Sequence, residues 1–292
     1  MPDSSVSRQL RILGRKFSVC GQGDYVASIR DGRYHEDTFE IFRKVVRPDS
    51  ICLDIGANVG LSTLALASLA PRGRVFALEA DARTCRFLTG NIRDNGLSNV
   101  TVEQCFIGLD GARKTFLFCA HDPARSPSMQ PELLGKINGA AERWDPVKVQ
   151  CLSVDEFASS HGLDRLDFIK LDCEGADIEI LSGARQTLQR FRPTVVLEFN
   201  SFCLTSFART NPADAIDIVL ATFPYVWRIE RPRRTLRARA KSTLRQILRG
   251  KTGTRIERVS DSYIFIHNHI VFRNGFDDLL CAFSDIEATL SP

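Results

Sequence analysis

The chain has 292 residues, 43% of them apolar and 25% charged, with a net charge of +4. That length can bury a large core in one domain or two, and the composition is that of a soluble globular protein rather than a disordered or fibrous one. No run reaches the ~18 apolar residues of a membrane span. The nine cysteines never stand at Cys-x-x-Cys spacing, which argues against a zinc site, and their odd count and mostly apolar neighbours argue for reduced, buried thiols in a cytoplasmic protein.

The opening "MPDSSVSRQLRILGRKFSVC" lacks the apolar stretch of a signal peptide. "RKFSVCGQGDYVASI" has two alternating runs around Gly21, Gln22 and Gly23 and predicts a β-hairpin. "YHEDTFEIFRKVV" places Phe39, Phe42, Val45 and Val46 on one helical face that Pro48 ends, with Glu36 at its start as a group that could approach a site. Strands and helices then alternate. "SICLDI", "RVFALEA", "VTVEQC", "DFIKLD" and "PTVVLEF" read as five strands, and "YVWRIE" and "SYIFIHN" as a sixth and a seventh. "LSTLALASLA", "DARTCRFLTGNIRDNG", "ADIEILSGARQTLQRF" and "NPADAIDIVLATF" read as helices, the second stopped at Gly96 and the last begun by Asn211 and Pro212. Between the third and fourth strands, "KTFLFC" and "VKVQCL" look like extra strands around a polar loop. The alternation predicts a parallel sheet covered on both faces, with the last two strands as an antiparallel pair joined by a basic insert. Residues 1–50 form an N-terminal hairpin and helix packed on a core of 51–205, and 206–292 completes the same fold.

Ligands of such sheets bind outside the carboxyl ends of the strands. The first strand ends in "LDIGANVG": Asp54, then Gly56, Ala57, Asn58 and Gly60. A dinucleotide fingerprint would be Gly-x-Gly-x-x-Gly; here three residues separate the glycines, and an aspartate aimed into the site would repel a phosphate and attract a cation. Gly56 and Gly60 are expected to clear space for the ligand. Glu79 ends the second strand 25 residues after Asp54, where an acid can hold both hydroxyls of a ribose. Ala80 and Asp81 would lie beside an adenine, with Cys105 and Phe106 at the third strand end. A sulfonium and an ammonium on one nucleoside, as in S-adenosylmethionine, suit this acidic site.

For a base, Asp172 and Glu174 end the fourth strand, Glu198 and Asn200 end the fifth, and His121 and Asp122 stand in the long loop. Neighbouring acids can raise one another's pKa, which helps a base work near neutrality. The same acids with Asp177 could hold a divalent ion, or Glu174 and Gly175 could simply shape the turn while Asp172 caps a helix; no metal is assigned. Lys170, inside a strand, is expected to pair with an acid, and Trp144 and Trp227 to be packing residues.

"LDIGANVGLSTLALA", "RVFALEADARTCRFLTGNIRDNG", "DFIKLDCEGADIEILSGA" and "PTVVLEF" resemble the FkbM-type methyltransferases, from about Ile51 to Phe199. The "IKLDCEGAD" block is the most specific part, with Asp177 where many relatives have Glu. The resemblance implies a Rossmann-like α/β class I methyltransferase fold, a mostly parallel seven-stranded doubly wound sheet with an antiparallel last strand. It implies S-adenosylmethionine-dependent O-methylation of a small-molecule or glycan hydroxyl, commonly on a sugar or natural product. It carries cofactor roles onto Asp54, Gly56, Asn58, Gly60 and Glu79. An Asn-Pro-Pro-Tyr-type motif is absent after the fourth strand, where "DCEG" stands instead; this disfavours a nucleic-acid amino-methyltransferase. A cofactor-binding protein without activity is the remaining alternative.

The positive charge is local. Residues 228–258 carry 12 Lys/Arg and 2 Asp/Glu, a net +10, against 27 and 33, a net −6, elsewhere. Leu236, Ala240, Leu244, Ile247 and Leu248 fall on one face of a basic amphipathic helix, a pattern of anionic membrane surfaces; the plainer reading is a solvated helix. No aromatic residues interleave with the arginines as a nucleic-acid stacking platform would need. The sequence assigns no oligomeric state.

Overall fold

The computed structural model describes residues 5–29, 36–110, 114–119, 144–149, 151–230 and 255–290. Strands β1 (Ser5–Ile12) and β2 (Arg15–Gln22) form an antiparallel hairpin that turns at Leu13 and Gly14, both with positive φ, the two-residue connection that suits strand twist. Leu10 and Ile12 face the core with Phe17 and Val19. The hairpin expected around Gly21–Gln22–Gly23 is therefore displaced. "RKFSVC" is a strand, but its partner precedes it, and α1 (Gly23–Ser28) follows it. Asn91 and Asn95 complete the free edge of β2: their side chains exchange hydrogen bonds with the backbone of Cys20 and Ser18.

After α2 (Glu36–Val45) come β3 (Ile51–Ile55), α3 (Leu61–Leu69), β4 (Arg74–Glu79), α4 (Ala82–Asp94) and β5 (Val100–Gln104). Two short pairs follow: β6 (Phe106–Ile107) lies parallel to β9 (Cys151–Leu152), and β7 (Lys114–Cys119) antiparallel to β8 (Trp144–Val149). The chain continues through α5 (Val154–Ser160), β10 (Phe168–Leu171), α6 (Asp177–Ser182), α7 (Arg185–Phe191), β11 (Thr194–Asn200), α8 (Ser201–Ser206), α9 (Pro212–Thr222) and β12 (Tyr225–Glu230). It ends with β13 (Arg255–Arg258), α10 (Ser262–Arg273), β14 (Phe276–Ala282) and α11 (Glu287–Leu290).

The main sheet runs β13-β12-β14-β11-β10-β3-β4-β5. The five strands β5, β4, β3, β10 and β11 are mutually parallel. β14 is inserted antiparallel between β11 and β12. The α/β, mostly parallel architecture with a reversed last strand is as expected, with two corrections. "SYIFIHN" is not the last strand but the first half of α10; the last strand is "FDDLLCA". Asp261 caps α10 by accepting the Ile264 N–H, and Asn274 and Gly275, both at positive φ, end it. Its apolar run Tyr263–Ile266 is too short and unbroken to have a period that separates helix from strand. The second correction is the strand count: β13, from the far end of the basic insert, pairs with β12 and makes the sheet eight-stranded. The amphipathic helix read over residues 236–248 lies outside the described residues.

The core has two halves, one on each face of the sheet. Leu53, Ile55, Ile169, Leu171, Val195, Leu197 and Phe199 face the side covered by α5 to α10. Cys52, Ala77, Phe168, Val196 and Leu280 face the side covered by the hairpin, α2, α3 and α4. Trp227 is fully buried on this second side, a packing residue as expected. A buried chain of hydrogen bonds, Ser201 Oγ to His269 Nε2 at 2.8 Å and His269 Nδ1 to Asp277 Oδ2 at 2.7 Å, ties α10 to the ends of β11 and β14.

Candidate active site

Side chains alternate between the faces of a strand, so register decides which polar residues meet. Asp54, Glu79, Lys170, Glu198 and Asp278 each sit two places from a residue that faces the α2–α3 side: Cys52, Ala77, Phe168, Val196 and Leu280. Asp54 is paired with Lys170 across β3–β10, and Glu198 with Asp278 across β11–β14. The strand ends therefore gather their charged groups on one face. There a cavity of about 210 Å3 opens under α2, lined among others by Gly56, Asn58, Glu79, Asp172, Glu198 and Asp278.

At one end, Glu79 is held in place by the backbone. Its Oε2 accepts the Asn58 N–H and its Oε1 the Asp81 N–H, both at 2.9 Å. Burial raises its pKa to about 7 against these hydrogen bonds. Each oxygen keeps lone-pair capacity for a further donor. Asn58 takes a positive φ, with its own Oδ1 accepting the Val59 N–H. Ala57, Ala80, Cys105 and Ile107 supply an apolar wall, and burial pushes the Cys105 thiol up to about 12, so it stays uncharged. Asp81 turns away to cap α4, accepting from the Thr84 N–H and hydroxyl. Phe106 packs with Ala80 and Cys151 beside the cavity.

Asp54 does not occupy the place expected of it. It is fully buried; its Oδ2 accepts from Ser62 Oγ at 2.7 Å and Thr63 Oγ1 at 2.6 Å, and Lys170 Nζ stands 3.5 Å from Oδ1. The carboxylate thus anchors the start of α3 and reaches the cavity only through Lys170. The glycines differ from expectation too. A Cβ on Gly56 would lie 2.1 Å from the Asp172 carbonyl oxygen, and one on Gly60 2.7 Å from Leu88 Cδ1. Their φ values are +74° and +98°. The missing side chains admit the protein's own backbone and core, not a ligand.

The other end is acidic. Asp172, Glu174, Glu198 and Asp278 line it, and Lys170 is the one basic residue among the described lining residues. Lys170 is committed: Nζ donates to the Gly56 carbonyl at 3.0 Å and lies 3.3 Å from Asp172 Oδ2. Burial opposes its charge, but Asp172 and Asp54 outweigh that and raise its pKa. Burial, followed by the charges of Asp172, Glu174 and Asp278, raises the pKa of Glu198 well above the usual carboxylate range. Glu174 sits at positive φ, and its Oε2 accepts from the Cys203 thiol at 3.0 Å. Glu174, Glu198 and Cys203 offer ligand atoms within 4.8 Å of one another. Asp177 takes no part: it turns inward to accept the backbone N–H groups of Cys173 and Gly175 and so builds the "DCEG" turn. His121 and Asp122 lie outside the described residues, as does the Glu36 side chain.

Two contributors escaped the sequence reading. Thr38 of α2 donates to Asp278 Oδ2 at 2.6 Å, and Asp278 stood in a segment left without a strand. Its signal was present, since two adjacent aspartates inside the apolar run "FDDLLCA" need a reason.

The donor set fits S-adenosylmethionine. An anchored carboxylate with spare lone pairs suits a ribose diol, and the uncharged wall beside it suits an adenine. The net-negative lining favours a sulfonium and an ammonium and opposes a pyrophosphate.

Known proteins agree with this reading. The family model described as the methyltransferase FkbM domain matches residues 54–222. The 2-O-methyltransferase NoeI of Sinorhizobium fredii is 26% identical over 165 residues, 53% of this chain and 67% of that protein. The hexuronic acid methyltransferase AglP of Haloferax volcanii is 23% identical over 168 residues, 58% of this chain and 64% of that protein. The match to the antimetabolite synthetase AmbE of Pseudomonas aeruginosa, 30% identical over 205 residues, covers 60% of this chain but 9% of that much longer protein. S-adenosylmethionine is the cofactor of such a site. The FkbM match covers more than half of the chain, which belongs to the FkbM methyltransferase domain family.

Proposed function

We propose that the protein methylates a hydroxyl group of a sugar, glycan, glycolipid or natural product. The observation that carries this reading is Glu79, a carboxylate fixed by two backbone N–H groups at the end of the second parallel strand and facing a cavity whose far wall is carboxylate. In this reading Glu79 holds the ribose of the donor, Ala80 and Cys105 flank its base, and the turn of Gly56, Ala57 and Asn58 lies against it, with Phe106 and Asp81 supporting from behind. Asp54 and Gly60 act indirectly, by setting α3 and Lys170. Bound there, S-adenosylmethionine supplies a methyl group already activated for displacement.

The chain's remaining task is to place a hydroxyl and take its proton. Glu198 is the candidate base: burial, followed by the charges of Asp172, Glu174 and Asp278, raises its pKa and so makes its carboxylate a stronger proton acceptor than an ordinary one. Asp172 and Glu174 orient the acceptor, with Lys170 keeping Asp172 in place. Four carboxylates with one committed lysine favour a neutral or amine-bearing acceptor over a phosphate-rich one such as nucleic acid. In this reading residues 1–50, 51–205 and 206–292 each contribute to one site, a reading supported by Thr38, Glu79 and Asp278 lining the same cavity.

The test follows S-adenosylhomocysteine release with methyl glycosides of neutral, amino and uronic sugars and with glycolipid extracts. An O-methylated product, together with loss of turnover in Glu198→Gln while S-adenosylhomocysteine still binds, supports the reading. A methyl group found on nitrogen, or an unaffected Glu198→Gln, refutes it.

A further inference from the structure

Strand β14 carries two adjacent acids, Asp277 and Asp278, and the alternation of a strand sends them to opposite faces of the sheet. Each is met there by a buried partner. On the α10 side, His269 Nδ1 lies 2.7 Å from Asp277 Oδ2, and Ser201 Oγ lies 2.8 Å from His269 Nε2; all three residues are buried. A carboxylate only accepts, so Nδ1 carries a proton, and the Ser201 hydroxyl can give its own to Nε2. On the α2 side, Thr38 Oγ1 donates to Asp278 Oδ2 at 2.6 Å. The turn before β14 is closed as well: the Gly275 N–H donates to the His269 carbonyl, and the Ser201 N–H to the Gly275 carbonyl. The start of β14 is thus held from both sides of the sheet, by α2, α8 and α10.

A Ser-His-Asp chain is also the order of a hydrolytic triad, but its surroundings do not serve one. Neither Ser201 nor His269 is among the residues lining the cavity. The N–H groups of Phe202 and Cys203, which follow the serine and could otherwise hold an oxyanion, are both taken by Asn200 Oδ1. What the chain fixes is a register. β14 runs antiparallel to β11, so its first residues lie beside the carboxyl end of β11, and Asp278 stands directly opposite Glu198. Directly opposite residues share a face, with Cβ atoms about 4.5–5.5 Å apart. Both acids line the cavity, where Glu198 also faces Asp172, Glu174 and Cys203. Two carboxylates side by side match two hydroxyls on neighbouring carbons of one molecule, each of which brings one donor.

We propose that Glu198 and Asp278 together read a vicinal diol in the acceptor. Glu198 takes the proton of the hydroxyl that is methylated, Asp278 accepts a hydrogen bond from the hydroxyl beside it, and Thr38 and His269 are the positioning residues of Asp278. This rests on the hydroxyl-transfer reading above and narrows its substrate class. The methyl glycoside that turns over best is compared with its analogue lacking the hydroxyl next to the methylated position. Wild type should lose roughly tenfold or more in kcat/KM on the deoxy analogue, and Asp278→Asn a similar factor on the parent glycoside. The two losses should not multiply, so on the deoxy analogue Asp278→Asn should match wild type. Losses that multiply overturn the proposal. Thr38→Val and His269→Leu should lower kcat at unchanged S-adenosylhomocysteine affinity. His269→Gln, whose amide can donate to Asp277 and accept from Ser201, should restore it. Variants that melt earlier yet turn over the parent at the wild-type kcat overturn the positioning role; if His269→Leu does not fold, Thr38→Val on the other face carries that test. A product methylated on nitrogen strikes the reading of a hydroxyl acceptor, whereas O-methylation of the deoxy analogue at the wild-type rate strikes only this proposal. If no glycoside turns over, the protein is labelled with 13C at the glutamate carboxyls and titrated with S-adenosylhomocysteine bound. The Glu198 signal, identified by its loss in Glu198→Gln, should titrate at lower pH in Asp278→Asn, because one of the charges that oppose its ionisation is gone. An unmoved midpoint overturns the pairing.

Discussion

Replacing Glu79 with alanine removes the one carboxylate at the nucleoside end of the cavity. Its two oxygens accept from Asn58 and Asp81 and face the cavity with capacity to spare. Hydrogen bonds to a charged group contribute about 1.5–3 kcal/mol each. Losing a ribose diol from a carboxylate then costs about 3 kcal/mol or more, a factor of roughly 100 in Kd. The protonation state sharpens the test. Free Glu79 titrates at about 7 because burial disfavours its charge, and a ligand that donates two hydroxyls selects the ionised form. The affinity therefore rises as pH climbs through that value: the ionised fraction goes from about one tenth at pH ~6 to about nine tenths at pH ~8, a tightening of roughly tenfold. Isothermal titration with S-adenosylhomocysteine across this range measures both effects. Glu79→Gln should bind weakly with a flat profile. Asp177→Asn should keep the slope, because Asp177 also titrates at about 7 but caps a turn away from the cavity. A Glu79→Ala protein that binds within a few-fold of wild type, or a wild-type profile flat from pH ~6 to ~8, would refute the assignment of Glu79 to the nucleoside.

Lys170→Met strands the fully buried Asp54 carboxylate without its cation and should cost about 3–5 kcal/mol in denaturant unfolding, part of it recovered by adding Asp54→Asn. A single-variant loss below about 1 kcal/mol would mean the pair is not coupled. Gly56→Ala combines a φ of +74° with a Cβ 2.1 Å from the Asp172 carbonyl. It should destabilise by more than about 2 kcal/mol, whereas Gly90→Ala, in open space within α4, should stabilise by about 0.5–1 kcal/mol. Thermal melts in the reverse order would contradict the close approach of the β3 and β10 turns.

Local patterning carried the sheet. The apolar runs ending in Asp54, Glu79, Asp172 and Glu198 were legible because buried parallel strands are apolar on both faces and their ends are the only places a carboxylate can stand. That Gly56 and Gly60 mark a tight turn was legible too, but what they make room for was not: each meets the protein's own atoms, the Asp172 carbonyl and Leu88, rather than a ligand. Long-range packing decided the rest. Whether Asp54 faces a ligand or the hydroxyls of Ser62 and Thr63 depends on how α3 sits over β3. That Asp278 and Thr38 join the acidic wall depends on which segment enters the sheet last. "SYIFIHN" and "FDDLLCA" compete for that place, and both are apolar enough to take it. The outcome rests on the Asp261 cap, the Asn274–Gly275 stop and the buried Ser201–His269–Asp277 chain. Those contacts join residues up to 68 positions apart. A sequence fixes which groups are available at each strand end; only the register and packing of distant elements fix which of them meet, because charge and hydrogen bonding act over a few ångströms of space and not along the chain.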